Sequence, residues 1–83
     1  MKRDLWFVYL LECQDGSFYT GVTNDVDKRM KAHVEGKGSK YVYCKGFRKL
    51  LFAKPCDSKS DACKCEYEIK QLLKGDKLRW FLG

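Results

Sequence analysis

The sequence feature that most constrains the fold is a run of eight mostly apolar and aromatic residues near the N-terminus. The run covers residues 6–13, WFVYLLEC, and is followed by Gln14-Asp15-Gly16 and then by SFYTGV. A strand-length apolar run, a short polar turn and a second such run are typical of a β-hairpin. The chain is therefore expected to contain an antiparallel sheet.

The length of the hairpin loop decides which tyrosines share a face of the sheet. A two-residue loop would place Tyr9 and Tyr19 on opposite faces, whereas a three-residue loop over residues 14–16 places them on the same face. Gly16 would then hold the third loop position, which suits the left-handed conformation of a bulged turn. We therefore expect the three-residue loop.

The segment after the hairpin predicts a first helix over residues 25–35, with Asn24 as its N-cap and Gly36 as its stop. Its buried stripe is expected to consist of Val26, Met30 and Val34. Arg29 and His33 lie one turn apart at the edge of that stripe. These two side chains are therefore expected to act together.

The second half of the chain predicts a basic loop with at most a short irregular element, a third strand and a second helix. The strand covers residues 47–54 and ends at Pro55. The helix begins after Ser58 or Ser60, continues to Lys74 and stops at Gly75, after which the tail adds a short helical turn. The fold class is therefore α/β (α+β), in one domain over residues 1–83. It has a small three-stranded antiparallel sheet with flanking helices in the order β-β-α-β-α.

Glu66 is an unexpected carboxylate on the second helix. Helical spacing places it on the apolar stripe with Ala62, Ile69 and Leu73. An unpaired buried carboxylate costs several kcal/mol. Glu66 therefore needs a metal ion, an ion pair with a lysine, or a position at the rim of the stripe.

The net charge of +6 is concentrated in the middle of the chain. Residues 1–27 carry −3, residues 28–54 carry +8 and residues 55–83 carry +1. A positive field over one part of a surface attracts polyanions, so nucleic acid is the expected partner, and a solvated lysine-rich surface is the alternative.

The five cysteines form no CxxC pair and accompany a single histidine. The missing CxxC pair and the single histidine disfavour a structural zinc site, and the odd number of cysteines disfavours a disulfide framework. No run approaches the length of a membrane span. We therefore expect reduced thiols, a cytoplasmic location and no membrane partner.

An ordered set of five residues resembles the catalytic signature of the GIY-YIG nuclease superfamily, especially its small stand-alone bacterial members. The first motif stands here as Phe7-Val8-Tyr9 and the second as Tyr19-Thr20-Gly21. Arg29, His33 and Glu66 follow in that order. The resemblance covers most of the chain and is more specific than any one of its residues.

The resemblance implies an endonuclease that hydrolyses phosphodiester bonds in DNA or RNA, in DNA repair or nucleic-acid processing. Glu66 would hold a divalent metal, Mg²⁺ or Mn²⁺, and Arg29 would stabilise charge on the phosphate. Tyr19 would take a proton from the attacking water, with Tyr9 in a supporting role. His33 would relay that proton or orient a tyrosine.

Five residues of the basic segment are candidate nucleic-acid contacts: Lys37, Lys40, Tyr41, Lys45 and Arg48. DNA is the expected partner rather than RNA, and the small size leaves room for a protein partner or a homodimer. The late asparagine common in the superfamily has no counterpart, since Asn24 is the only asparagine. The alternative is therefore a nucleic-acid-binding module of the same fold with weak or no catalysis.

Overall fold

A computed structural model describes residues 5–83, which form one three-stranded sheet and four helices. The strands are β1 (Trp6–Cys13), β2 (Phe18–Thr23) and β3 (Phe47–Cys56). The helices are α1 (Val26–Val34), α2 (Lys40–Lys45), α3 (Lys59–Lys70) and α4 (Lys74–Leu82). The sheet order is β2-β1-β3 and both pairings are antiparallel, which confirms the predicted fold class.

The hairpin has the predicted three-residue loop. Tyr9 pairs with Gly21 and Leu11 pairs with Tyr19, so the two tyrosines project from one face of the sheet. The loop is closed by a 2.8 Å hydrogen bond from the Cys13 amide to the Ser17 carbonyl. Gly16 has φ +84°, the left-handed conformation for which glycine was expected there.

The core is built around the central strand β1. Its buried residues are Val8, Tyr9, Leu10, Leu11 and Cys13, all at 0% exposure. Val42 of α2 completes a cluster with Tyr9, Leu11 and Cys13, while Ala62 and Ile69 are the buried residues of α3. The side chain of Tyr9 is therefore fully buried in this core.

Helix α1 begins one residue later than predicted and is rotated. Asp25 rather than Asn24 is its N-cap, because the Asp25 carboxylate accepts a hydrogen bond from the Lys28 amide. Val34 was predicted to be buried but is 66% exposed, whereas His33 is only 2% exposed. The contact of His33 with the sheet sets this rotation and turns Val34 to the solvent.

The second predicted helix is two helices in the structure. Ser58 caps α3 by accepting a hydrogen bond from the Asp61 amide, and α3 ends at Lys70 rather than Lys74. Leu73 has an extended backbone and is 78% exposed, so its predicted burial was wrong. Gly75 lies inside α4 instead of ending a helix.

Helix α4 turns back onto β3 because its aromatic residues find partners there. Phe81 stacks on Phe52 with ring centroids 5.4 Å apart, and the Lys54 ammonium lies 4.7 Å from the centroid of the Trp80 ring. β3 continues through Pro55 to Cys56, since Pro55 lies on an edge strand where a missing amide donor is tolerated.

The basic segment after α1 contains a true helix, α2, where a loop with a short irregular element was predicted. Ser39 is its N-cap, with the side chain accepting a hydrogen bond from the Val42 amide, and Gly46 ends it with φ +83°.

Among residues 5–83, no helix combines the length and the apolar character that a membrane-spanning helix needs.

Candidate active site

The hairpin register brings Tyr9 and Tyr19 together. Their ring centroids are 6.3 Å apart at an interplanar angle of 45°. Gly21, opposite Tyr9, makes this possible, because a Cβ atom at residue 21 would lie 2.5 Å from the Tyr9 hydroxyl oxygen. The glycine of the second motif therefore creates the space that the first tyrosine fills.

Helix α1 delivers His33 to both tyrosines. The Tyr9 hydroxyl and His33 Nε2 are 2.8 Å apart in a buried hydrogen bond. The His33 ring meets the Tyr9 ring edge to face at 5.8 Å and the Tyr19 ring at 5.7 Å. This three-ring cluster is the centre of the candidate site.

Two further residues fix the imidazole. Phe47 of β3 stacks almost parallel to it, with centroids 6.4 Å apart. Gly38 approaches from another side, since a Cβ at residue 38 would lie 2.5 Å from His33 Nδ1. His33 Nδ1 is buried and has no hydrogen-bond partner among residues 5–83. The orientation of the ring is therefore set by packing and by the bond to Tyr9.

Burial keeps both hydrogen-bonded groups neutral near pH 7. It lowers the pKa of His33 to about 4, and the nearby positive charge of Arg29 acts in the same direction. Burial also raises the pKa of Tyr9 above its ordinary value, although the Arg29 guanidinium opposes that rise. A neutral imidazole beside a phenol can accept or donate a proton, which is the property a proton relay needs.

Arg29 lies one turn before His33 on α1 and is partly buried. Its charge acts on both Tyr9 and His33, which places the guanidinium beside the three-ring cluster. Arg29 Nε is buried without a hydrogen-bond partner within the described part of the chain. A planar cation with an unused donor is suited to hold a phosphate oxygen.

Glu66 reaches the site from α3, and its charge contributes to the raised pKa of Tyr9. Its side chain is 24% exposed and forms an ion pair with Lys70, with Oε2 and Nζ 3.4 Å apart. Glu66 therefore lies at the rim of the apolar stripe and has a lysine partner. The ion pair with a lysine and the position at the rim, which were expected as alternatives, thus occur together.

The five candidate nucleic-acid contacts divide into two groups. Tyr41 stacks on Tyr19 at 5.8 Å with an angle of 26°, and Lys45 lies 6.0 Å from the Tyr41 ring centroid. Lys45 also pairs with Asp15 at 3.4 Å, and Arg48 pairs with Glu12 at 4.0 Å. The other two residues are exposed: Lys37 lies between α1 and α2, and Lys40 is the first residue of α2. Tyr41 thus extends the aromatic cluster to the surface, whereas Lys45 and Arg48 are partly neutralised by the hairpin.

The carboxylate, histidine and cysteine side chains of residues 5–83 form no group of three that could hold a metal ion. Glu66 is the carboxylate at the candidate site. Mg²⁺ is commonly bound by one or two carboxylates, with waters and substrate phosphates filling the remaining positions. The donor set therefore fits a metal ion that is bound together with a phosphate substrate.

Four residues at the site were not predicted from the sequence as site residues: Gly21, Gly38, Phe47 and Lys70. Lys70 follows Glu66 by four residues, and this spacing of opposite charges on a helix predicts contact. The packing roles of the two glycines and the phenylalanine had no such signal, because each depends on contacts between distant segments.

A family model matches most of the sequence. Residues 5–79 match the model of the GIY-YIG catalytic domain. The chain belongs to the GIY-YIG family. The resemblance carried by Tyr9, Tyr19, Arg29, His33 and Glu66 is thereby confirmed at the level of the family, and a nuclease-like function is supported at the same general level.

Curated relatives of this GIY-YIG chain are UPF0213 proteins. It is 47% identical over 78 residues to a UPF0213 protein of Cronobacter sakazakii, covering 94% of this chain and 82% of that protein. It is 43% identical over 74 residues to the UPF0213 protein YhbQ of Escherichia coli K12, covering 89% and 74%.

A solved structure has the same fold as this chain. The solution NMR structure of the UPF0213 protein BH0048 from Bacillus halodurans matches with a TM-score of 0.57 and 45% sequence identity. The match covers 92% of this chain and 81% of that chain. This chain and that UPF0213 protein therefore share one fold.

Proposed function

We propose that this GIY-YIG protein is a divalent-metal-dependent endonuclease that hydrolyses phosphodiester bonds in nucleic acid, with DNA as a more suitable substrate than RNA. The proposal includes a cytoplasmic setting, in which the five free thiols would remain reduced. DNA repair or nucleic-acid processing would be the corresponding role.

The observation that carries the proposal is the buried hydrogen bond between Tyr9 and His33 beside Tyr19 and Arg29. A neutral imidazole, two phenols and a fixed guanidinium at one place support proton transfer from water and stabilisation of a phosphate anion. A purely structural core would gain little from burying His33 Nδ1 and Arg29 Nε without hydrogen-bond partners among the described residues.

The tyrosines have different roles in the proposed mechanism. Tyr9 has no exposed surface, and its raised pKa keeps it protonated, so it orients His33. Tyr19 is partly exposed and can be reached by water. Tyr19, as the phenolate favoured by nearby positive charge, therefore takes the proton of the attacking water and becomes the phenol. His33 passes that proton on or holds the phenols in line.

Arg29 and Glu66 act on the phosphate group. Arg29 offers its charged guanidinium to a phosphate oxygen, and its buried Nε has no hydrogen-bond partner among the described residues. Glu66 would hold Mg²⁺ or Mn²⁺, and a bound divalent cation would polarise the phosphoryl oxygen and stabilise the leaving oxygen. Because the described residues offer no group of three ligands, water and the substrate phosphate would fill the remaining positions of a metal held by Glu66.

The surface beside the cluster supports binding of nucleic acid. Tyr41 is 41% exposed and its ring stacks on Tyr19. Bases stack on exposed aromatic side chains of this kind. Lys37 and Lys40 are exposed on the same segment of the chain and add positive charge, whereas Lys45 and Arg48, which pair with Asp15 and Glu12, add less. The proposed path of the backbone therefore leads past Tyr41 and Tyr19 to Glu66.

The experiment is a cleavage assay with labelled single-stranded, duplex and branched DNA and with RNA, in Mg²⁺ or Mn²⁺. Glu66→Gln should abolish cleavage, whereas Glu68→Gln, an exposed carboxylate two residues further on the same helix, should cleave as well as the parent. Arg29→Ala should also abolish cleavage while Lys28→Ala does not. The catalytic proposal is refuted if no substrate is cut, or if Glu66→Gln remains as active as Glu68→Gln.

A second candidate function is a nucleic-acid-binding module of the same fold. The ion pair of Glu66 with Lys70 favours it, because that pair satisfies the carboxylate without a metal. Binding that weakens steeply with salt, with no cleavage in either metal, would support this function over the nuclease. Failure to bind any nucleic acid at low salt, with a protein recovered as partner, would instead support an adaptor role.

A further inference from the structure

Lys70 lies between the carboxylate of the candidate site and its aromatic cluster. Its ammonium is 3.4 Å from Glu66 Oε2 and 6.0 Å from the centroid of the Tyr19 ring. Half of the Lys70 side chain is exposed, at 49%, whereas Glu66 is 24% exposed. The lysine therefore covers Glu66 from the solvent side.

An ammonium group and a divalent cation compete for the same carboxylate oxygens. A partly exposed lysine–carboxylate pair changes an equilibrium by roughly two- to fivefold, because water screens it and the long side chain loses freedom on pairing. Such a pair restrains Glu66 without preventing a metal from binding. Lys70 is therefore weak enough to be displaced.

A displaced Lys70 ammonium remains next to the aromatic cluster. Its flexible four-carbon stem starts from the last residue of α3, and its head already lies above Tyr19. The proposed path of the nucleic-acid backbone leads past the same ring. A phosphate there would be within reach of an ammonium that no longer pairs with Glu66.

We propose that Lys70 is a positioning residue that holds the Glu66 carboxylate before a divalent cation binds and then transfers its ammonium to a phosphate of bound nucleic acid. The inference rests on the proposed function, because it takes Glu66 as the metal ligand. Lys70 would thereby couple metal binding to substrate binding. A metal on Glu66 frees the Lys70 ammonium for a phosphate, and a phosphate that holds the ammonium frees Glu66 for a metal.

The test is Lys70→Met, which removes the charge and keeps an unbranched stem, with Lys64→Met as the matched control on an exposed position of α3. Mn²⁺ binding is measured by calorimetry on the protein alone. It is measured again with a phosphorothioate oligonucleotide that resists cleavage. Oligonucleotide binding is measured by fluorescence anisotropy as a function of salt.

Lys70→Met should bind Mn²⁺ roughly two- to fivefold more tightly in the absence of the oligonucleotide, because the competing ammonium is gone. It should bind the oligonucleotide more weakly when Mn²⁺ is present, with a salt slope reduced by about 0.7 to 0.9 for one lost phosphate contact. Lys70→Arg should restore oligonucleotide binding. Lys64→Met should leave the Mn²⁺ affinity unchanged. A merely structural lysine would not move these two affinities in opposite directions.

The failures of the two proposals are distinguishable. If Glu66→Gln loses Mn²⁺ binding but Lys70→Met has the parent's Mn²⁺ affinity, the role of Lys70 is wrong and the metal site stands. If Lys70→Met weakens both Mn²⁺ and oligonucleotide binding, the role is also wrong. If the parent binds no Mn²⁺ with or without the oligonucleotide, or if Glu66→Gln binds it equally well, the metal site of the proposed function fails and the inference fails with it.

Discussion

His33 should make this protein less stable as the pH falls from 7 to 5. Its pKa is about 4 in the folded protein and about 6.5 in an unfolded chain. Between these values the unfolded chain binds a proton that the folded protein excludes, so the free energy of unfolding decreases as the pH falls. The contribution is complete above pH 6.5 and is lost as the pH falls through about 4.

The size of the effect follows from the two pKa values. Each pH unit between them corresponds to about 1.4 kcal/mol, so the free energy of unfolding should fall by about 2 kcal/mol from pH 7 to pH 5. The His33→Gln variant keeps every carboxylate, so its loss over the same interval measures what groups other than His33 contribute. The sequence has one histidine, so no second imidazole contributes.

The assay is urea unfolding at pH 7 and pH 5, followed by circular dichroism. An NMR titration of the His33 ring protons gives the folded pKa directly, because a single histidine needs no assignment among several. His33→Gln is the control and should lose much less stability over the same interval. A folded-state midpoint near 6.5, or an equal loss in His33→Gln, would refute the reasoning that burial keeps this imidazole neutral.

Three further substitutions test the packing of the site and the aromatic surface. Gly21→Ala should lower the free energy of unfolding by about 1–3 kcal/mol in urea titrations, since its Cβ would overlap the buried Tyr9 hydroxyl. Gly75→Ala, where a Cβ meets nothing within 4 Å, should not destabilise the protein. Tyr9→Phe should cost about 1–3 kcal/mol by leaving the buried imidazole unpartnered, and unchanged stability would contradict the importance of that bond. Tyr41→Ala should weaken oligonucleotide binding by about 1–3 kcal/mol in anisotropy titrations, with the exposed Tyr43→Ala as the control that should not.

Local sequence patterns were sufficient to predict the hairpin. Its strands, its loop length and the shared face of Tyr9 and Tyr19 are confirmed because turn geometry and side-chain alternation depend on adjacent residues. The Ser58 cap of α3 was likewise one of two predicted starts. Such features are decided within a few residues of the chain.

The wrong predictions concern helix rotation and helix ends. The periodicity of α1 favoured burial of Val34, but the hydrogen bond of His33 with Tyr9 turned the helix the other way. The periodicity of α3 ran on to Leu73, but the stacking of α4 on β3 ended the helix at Lys70. In both cases a contact between segments distant in sequence outweighed a local preference.

The ordered tyrosines, arginine, histidine and glutamate already indicated the family from the sequence alone, because chain order and motif spacing are written in it. The concentration of positive charge after the hairpin was equally visible there. Only the tertiary structure decided that Gly21 and Gly38 make room for Tyr9 and His33, and that Lys70 covers Glu66 beside Tyr19. These relations depend on the packing of helices against the sheet, since burial, close approach and the pKa of His33 arise from atoms that the chain brings together across tens of residues.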